Sequence, residues 1–173
     1  TKEVALDQNA IFLLKKFIST ITIEQNKIKV INILSKFCIK LVLNPYGNYV
    51  IQYLLENYKS EEIEIINEKI INCASMLSKQ KYSSNVIEIS IKYFNEINRE
   101  KLINVLCFSD DTISIIKNKY GRFVINKVLN YLNDELKIKF KDKLLDDVMN
   151  LSSKEKTKIR KFISTLDELI IKK

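Results

Sequence analysis

The sequence predicts an all-α protein, a solenoid of stacked three-helix repeats with about four repeats and a capping helix at the carboxyl end. Three observations predict it. The 173 residues include two Gly and one Pro, so backbone breakers are too scarce for a turn-rich sandwich or barrel. Apolar residues recur at helical spacing along most of the chain. The sequence also aligns on itself at a period of about 37 residues, which is the mark of a repeat array.

The self-alignment rests on three segments: Asn44-Pro-Tyr-Gly-Asn-Tyr-Val-Ile-Gln-Tyr-Leu-Leu-Glu56, Gln80-Lys-Tyr-Ser-Ser-Asn-Val-Ile-Glu-Ile-Ser-Ile-Lys92 and Asn118-Lys-Tyr-Gly-Arg-Phe-Val-Ile-Asn-Lys-Val-Leu-Asn130. Each holds a Tyr, a small residue, two variable residues, Val-Ile, and a further variable residue. The Tyr anchors, Tyr46, Tyr82 and Tyr120, are spaced by 36 and 38 residues. A weaker copy, Asp7-Gln-Asn-Ala-Ile-Phe-Leu-Leu-Lys15, puts Asn9 at the anchor, 37 residues before Tyr46. The chain therefore reads as one repeat domain, residues 1–173, with units at about 1–35, 36–72, 73–108 and 109–150 and a cap at 151–173.

Within a unit each element has its reason. Val50, Ile51, Leu54 and Leu55 fall on one stripe of a helix, as do Val86, Ile87 and Ile91, then Val124, Ile125, Val128 and Leu129. A second helix follows each time, over Glu61 to Ile71, Arg99 to Leu106, and Asp134 to Val148. Short apolar stretches, Phe37 to Leu43 and Thr112 to Ile116, lead into the next anchor. Three short helices bury little alone and enough when stacked. The tail, Ser153 to Lys173, reads as an amphipathic helix with Ile159, Phe162, Ile163 and Leu166 inward and its Lys and Arg residues outward. The amino end has no such cap and begins in what reads as mid-domain sequence, so a fragment of a longer protein is expected. The Tyr anchors are expected to pack between units.

Composition narrows the function. Net charge is +8, which favours an anionic partner without naming one, because lysine is also the default solubiliser of helices. There is no His, and Cys38, Cys73 and Cys107 form no CxxC pair. His-based catalysis and the usual zinc ligand sets are excluded, and buried thiols in a reducing compartment are expected. Ser153, Ser164 and the scattered Asp and Glu form no triad or carboxylate pair. No enzyme, cofactor, metal or small-molecule substrate is expected. No apolar run approaches the ~18 residues of a membrane span, and no membrane partner is expected.

The variable residues carry the functional signal. They lie two, three and six places after the anchor, and on a helix the first and third are one turn apart on the same face. The arrangement offers two polar tips near a base edge and one flat side chain for stacking. In the second unit the triplet is Asn48, Tyr49 and Gln52. Asn and Gln each bring a donor and an acceptor, which suits the mixed edge of uracil, and Tyr49 can stack. In the third unit it is Ser84, Asn85 and Glu88. An ionised carboxylate only accepts, and guanine is the base with two adjacent donors on its Watson–Crick edge. The fourth unit has Arg122, Phe123 and Asn126: Phe123 can stack, Arg122 can stack or meet phosphate, and the base preference is open. The first has Ile11, Phe12 and Lys15, with backbone contact through Lys15 at most.

The strings Tyr46-Gly-Asn-Tyr-Val-Ile-Gln52 and Tyr82-Ser-Ser-Asn-Val-Ile-Glu88 resemble the Pumilio (PUF) repeats, whose Asn/Tyr/Gln triplet reads uracil and Ser/Asn/Glu triplet reads guanine, one base per repeat. The order here is similar to the sixth and seventh of eight repeats, and Asp110-Asp-Thr-Ile-Ser-Ile-Ile-Lys117 resembles the connection preceding the eighth. The resemblance spans nearly the whole chain, most strongly Lys36 to Leu132. It implies the carboxyl half of such a domain, single-stranded RNA running antiparallel to the protein, and a core 5′-N-G-U-3′ with N at the fourth unit. It further implies base-edge contacts from Asn48, Gln52, Ser84, Glu88 and Asn126, and stacking from Tyr49, Asn85, Phe123 and Arg122. Cytoplasmic repression or decay of messenger RNA through 3′ untranslated regions, with protein effectors, is the implied role. The fourth triplet departs from the family's usual uracil reader. Two rivals share the architecture: a nucleolar PUF-like factor of ribosome biogenesis with little base preference, and a protein-binding armadillo- or HEAT-like solenoid.

Overall fold

The first residue after each short helix decides how the next one starts. In the computed structural model, which describes residues 8–149 and 151–171, the side chain of Asn44 accepts from the backbone N–H of Tyr46 and Gly47 at 2.9 and 2.8 Å. Asn118 accepts from Tyr120 and Gly121 in the same way at 2.9 and 3.1 Å. Both satisfy the orphan donors of a helix start. Gln80 stands at the matching place in the third unit. There the hydroxyl of Ser83 donates instead to the carbonyl of Leu77 at 2.6 Å.

The small residue after each anchor is a packing joint. A Cβ on Gly47 would sit 2.9 Å from the carbonyl oxygen of Leu41, and one on Gly121 2.3 Å from that of Ile115. Leu41, Leu77 and Ile115 each lie six residues before the joint, at the matching place of the preceding short helix. Gly or Ser recurs here because backbone approaches backbone.

Twelve α-helices result: α1 (Gln8–Thr20), α2 (Glu24–Lys36), α3 (Cys38–Leu43), α4 (Asn48–Asn57), α5 (Glu64–Asn72), α6 (Ala74–Ser78), α7 (Ser83–Tyr93), α8 (Glu96–Cys107), α9 (Thr112–Lys117), α10 (Lys119–Val128), α11 (Asp134–Met149) and α12 (Ser153–Ile171). Short 3₁₀ turns, Ser60–Ile63 and Leu129–Tyr131, lead into α5 and follow α10. No strand occurs among the described residues. The fold is the expected all-α solenoid.

Equivalent helices stack on one another. α1, α4, α7 and α10 form one continuous row, α2, α5 and α8 a second, and α6 meets α9, which α12 extends. The Val-Ile pairs Val50/Ile51, Val86/Ile87 and Val124/Ile125 are fully buried between the rows. Polar bridges one repeat apart tie the units together: Ser75 donates to Asp111 at 2.6 Å, Lys79 to Ser114 at 2.9 Å, and Asn98 to Glu64 at 2.6 Å.

The carboxyl end is closed as expected. Phe140 of α11 meets Phe108 and Phe162 edge-on, with centroids 5.9 and 6.4 Å apart. Ile159, Phe162, Ile163 and Leu166 of α12 are buried, and Lys117 pairs with Glu155 to hold α12 on α9. The amino end is open. Leu13 is 65% exposed and Phe17 is exposed too, although their counterparts Val50 and Leu54 are fully buried. No described element precedes α1 to cover them.

Two sequence expectations shift. The anchors are not packed between units: Tyr46 is exposed and Tyr82 and Tyr120 are half-exposed. Lysine ammoniums lie over two of the rings, Lys81 on Tyr82 at 5.2 Å and Lys119 on Tyr120 at 4.7 Å. The joint beside the anchor does the packing, so the ring is free to lie at the surface. Of the three cysteines, Cys38 and Cys107 are buried, whereas Cys73 is half-buried. Burial pushes the Cys38 thiol up to about 12 and raises Cys107 as well.

Candidate nucleic-acid interface

All four variable triplets fall on the row α1, α4, α7, α10, so they share one wall of the solenoid. Their neighbours in the stripe, Val-Ile, turn into the core, which fixes the opposite face outward. Asn9, the weak first anchor, has no described side chain.

The three offsets behave differently. At offset three every residue is exposed: Phe12 (70%), Tyr49 (50%), Asn85 and Phe123 (67%). Three exposed aromatic rings at one register make a row of flat apolar surfaces, unusual for solvent-facing positions. At offset six the residues are polar and accessible: Lys15, Gln52 and Glu88 are half-buried and Asn126 is exposed.

Offset two lies below this row rather than in it. Ile11, Asn48 (1% exposed) and Ser84 (4% exposed) are buried. The sequence expectation placed Asn48 and Ser84 as free polar tips, but at the first turn of a helix the local carbonyls compete for them. Asn48 donates its Nδ2 to the carbonyls of Asn44 and Pro45 at 2.8 and 2.9 Å. Its Oδ1 accepts from Gln52 Nε2 at 2.7 Å. Ser84 donates to the carbonyl of Lys81 at 3.3 Å. Arg122 is too long to follow them down. It stays exposed, its Nε donating to the carbonyl of Ile116 at 3.2 Å, which leaves the outer guanidinium nitrogens for other partners.

The chemistry of the row follows. Gln52 is held by Asn48 so that its carbonyl oxygen and second N–H remain side by side. That is a mixed donor-acceptor edge. Glu88 is partly desolvated, which raises its carboxyl above the ordinary value, and the ammonium of Lys127 opposes that rise. An ionised Glu88 offers two acceptors and no donor.

Sequence reasoning passed over the residue that follows offset six. Lys15 of α1 sits with its ammonium 5.2 Å from the ring centroid of Tyr53 on α4. Glu88 of α7 has Lys127 of α10 as its charged partner. In both cases offset six of one unit meets offset seven of the next, 38 or 39 places along the chain. The repeat period was the available signal: two residues one place apart in register, in adjacent stacked units, must be neighbours.

Among the described residues no group of His, Cys, Asp or Glu could hold a metal ion, and no helix is long and apolar enough to cross a membrane.

Comparison with known proteins adds to this geometry. The model of the Pumilio-family RNA binding repeat matches three times, at residues 37–71, 73–107 and 112–145. Pumilio homolog 12 of Arabidopsis thaliana is 31% identical over 127 residues, covering 73% of this chain and 21% of the relative. Putative pumilio homolog 13 of the same plant is 27% identical over 125 residues, covering 71% and 23%. The crystal structure of PUF-8 in complex with PBE-RNA superposes with a TM-score of 0.79 at 20% identity, covering 95% of this chain and 49% of that one. The Puf4 RNA binding domain bound to HO endonuclease RNA 3′ UTR recognition sequence gives 0.76 at 19% identity, covering 98% and 54%. At those identities the two structures speak for the fold alone. The chain spans about a fifth of the length of these two plant relatives and about half of each solved chain.

Proposed function

The chain belongs to the Pumilio family of RNA-binding repeat proteins, and from that premise we propose that its inner row binds single-stranded RNA one base per repeat, without catalysis. Gln52 takes a uracil through its mixed edge, oriented from beneath by Asn48, while Tyr49 stacks on the base. Glu88 takes a guanine, accepting from N1–H and N2–H, with Ser84 beneath it and Asn85 beside it. In the antiparallel sense of the family the core is 5′-N-G-U-3′. Phe123 stacks on the base at N, Arg122 and Asn126 reach its edge, and Lys15 meets phosphate. The setting is the 3′ untranslated region of messenger RNA in the cytoplasm, with protein effectors completing repression or decay.

One observation carries this reading. Gln52 and Glu88 occupy the same offset on adjacent inner helices, each beside an exposed offset-three side chain. A carboxylate is a poor choice on a wall meant for a polyanion unless it selects a base. The test compares affinities for short RNAs that differ at one position. Replacing the guanine of an NGU oligomer with adenine is expected to weaken binding by ~1–3 kcal/mol, the range for edge contacts to bases. Equal affinity for every sequence would instead favour the nucleolar biogenesis role, to which the unpaired offsets of Ile11 and Arg122 lean.

A further inference from the structure

The pairing between offset six and offset seven assigns a part to a side chain outside the triplets. We infer that Lys127 positions Glu88, pairing with its carboxylate from the next inner helix and keeping it in the acceptor-only form that selects guanine. This rests on the base-reading proposal above and adds a specificity residue to it.

The geometry comes from the stacking. α7 and α10 are adjacent in the inner row, as α1 and α4 are. In the α1–α4 pair the cross-unit contact is explicit, the Lys15 ammonium lying over Tyr53. Moved two units along, the same register brings Glu88 to Lys127. In the pair between, Gln52 faces Ile89, a half-buried apolar residue that suits a neutral amide. Charge therefore meets charge where the reader is charged, and apolar meets neutral where it is not.

The other charges around Glu88 do not replace Lys127. Lys92, one turn along α7, has its ammonium 4.8 Å from the Tyr93 ring, and Glu56 of α4 acts on that lysine. Arg99 of α8 is committed to the carbonyls of Ile91 and Phe94. Arg122 of α10 binds the Ile116 carbonyl. α6 brings no charged side chain, and α3 only Lys40. Besides burial, Lys127 is the influence felt at Glu88, and it acts against burial. Without it the carboxyl holds its proton to higher pH, and a protonated oxygen facing a guanine N–H sets donor against donor.

The experiment has two arms on the whole chain. First, the Glu88 carboxyl is titrated by carbon-13 NMR without RNA, in the parent chain, Lys127→Met and Lys127→Arg. The methionine variant should raise the midpoint by about half a pH unit or more, and the arginine variant should restore it. An unmoved midpoint overturns the pairing whatever RNA does. Second, the guanine-over-adenine affinity ratio is followed from pH 7.5 downward. Lys127→Met should lose the preference at a higher pH than the parent. If it weakens all RNAs equally and leaves the pH profile in place, Lys127 is a phosphate contact and the inference fails. A parent chain with no guanine preference at any pH sinks the base-reading proposal, while the first arm still decides the pairing.

Discussion

The two middle units and the two end units are built on one plan and differ in what surrounds it. In α4 and α7 the offset-two side chain is small and polar, folds down onto local carbonyls, and leaves offsets three and six as a clean pair at the surface. In α10 the same place holds Arg122, which stays outside, and in α1 it holds Ile11, which has no polar group to offer. The ends also lack a neighbour on one side: Leu13 and Phe17 lie open where Val50 and Leu54 are covered. A recognition surface of this kind depends on neighbours. The polar offset-six group is oriented by what lies beneath it and beside it, and both supports are complete in the middle of the stack.

The largest expected effect tests the joint shared by all units. Gly121→Ala drives a Cβ to 2.3 Å from the Ile115 carbonyl, against 2.9 Å for Gly47→Ala at Leu41. Chemical denaturation should show Gly121→Ala losing about 3 kcal/mol, at the severe end of overpacking, and Gly47→Ala clearly less. Equal losses would mean that the joint does not distinguish the end from the middle.

Next comes the reader itself. Glu88→Gln should remove most of the ~1–3 kcal/mol guanine preference, measured by competition between oligomers, and leave the fold intact. The sign of the stability change is specific. A carboxyl whose folded value is raised contributes stability below its unfolded value near 4.5, and that contribution is lost as pH rises through the folded value. At neutral pH the buried charge is a burden, so the glutamine variant should be as stable as the parent or slightly more. Binding runs the other way, since guanine needs the ionised form. The guanine preference should fall as pH drops through the Glu88 midpoint, while uracil binding at Gln52 stays level. A preference unchanged well below that midpoint would deny Glu88 its role.

Stacking is expected to act without choosing. Tyr49→Ala and Phe123→Ala should each weaken binding by about 1–2 kcal/mol and leave base ratios unchanged, read by isothermal titration. A change in ratio at Phe123 would make the fourth unit a selective reader in its own right. The smallest effect belongs to the first unit. Lys15→Ala should lower affinity for all sequences by less than about 1 kcal/mol and reduce its salt dependence.

Much of the architecture was legible because the period is in the sequence. The buried Val-Ile stripes, the short helices before each anchor and the inward face of α12 all follow from apolar spacing. The site was legible in part. Spacing alone says that Asn48 and Gln52 share a face, but not that the first turn of a helix offers carbonyls that pull the shorter side chain down. Asn is small enough to be captured there and Arg122 is not, which depends on side-chain length against a backbone position. The anchors misled for a related reason: a recurring aromatic reads as packing, whereas Gly47, Ser83 and Gly121 beside it make the contact. Lys127 was passed over because a lysine on an exposed face reads as solvated until the stacking of α10 on α7 is known.

The carbonyl-to-glycine contact at each joint has a consequence for how such a wall can vary. Both partners are main chain, so the rise from one helix of the inner row to the next is set by atoms that every amino acid carries. Side chains at offsets three and six play no part in that dimension. Exchanging Gln52 and Glu88 should therefore alter which letter is accepted at each step while the step itself keeps its length, as type can be reset in a frame whose slots do not move.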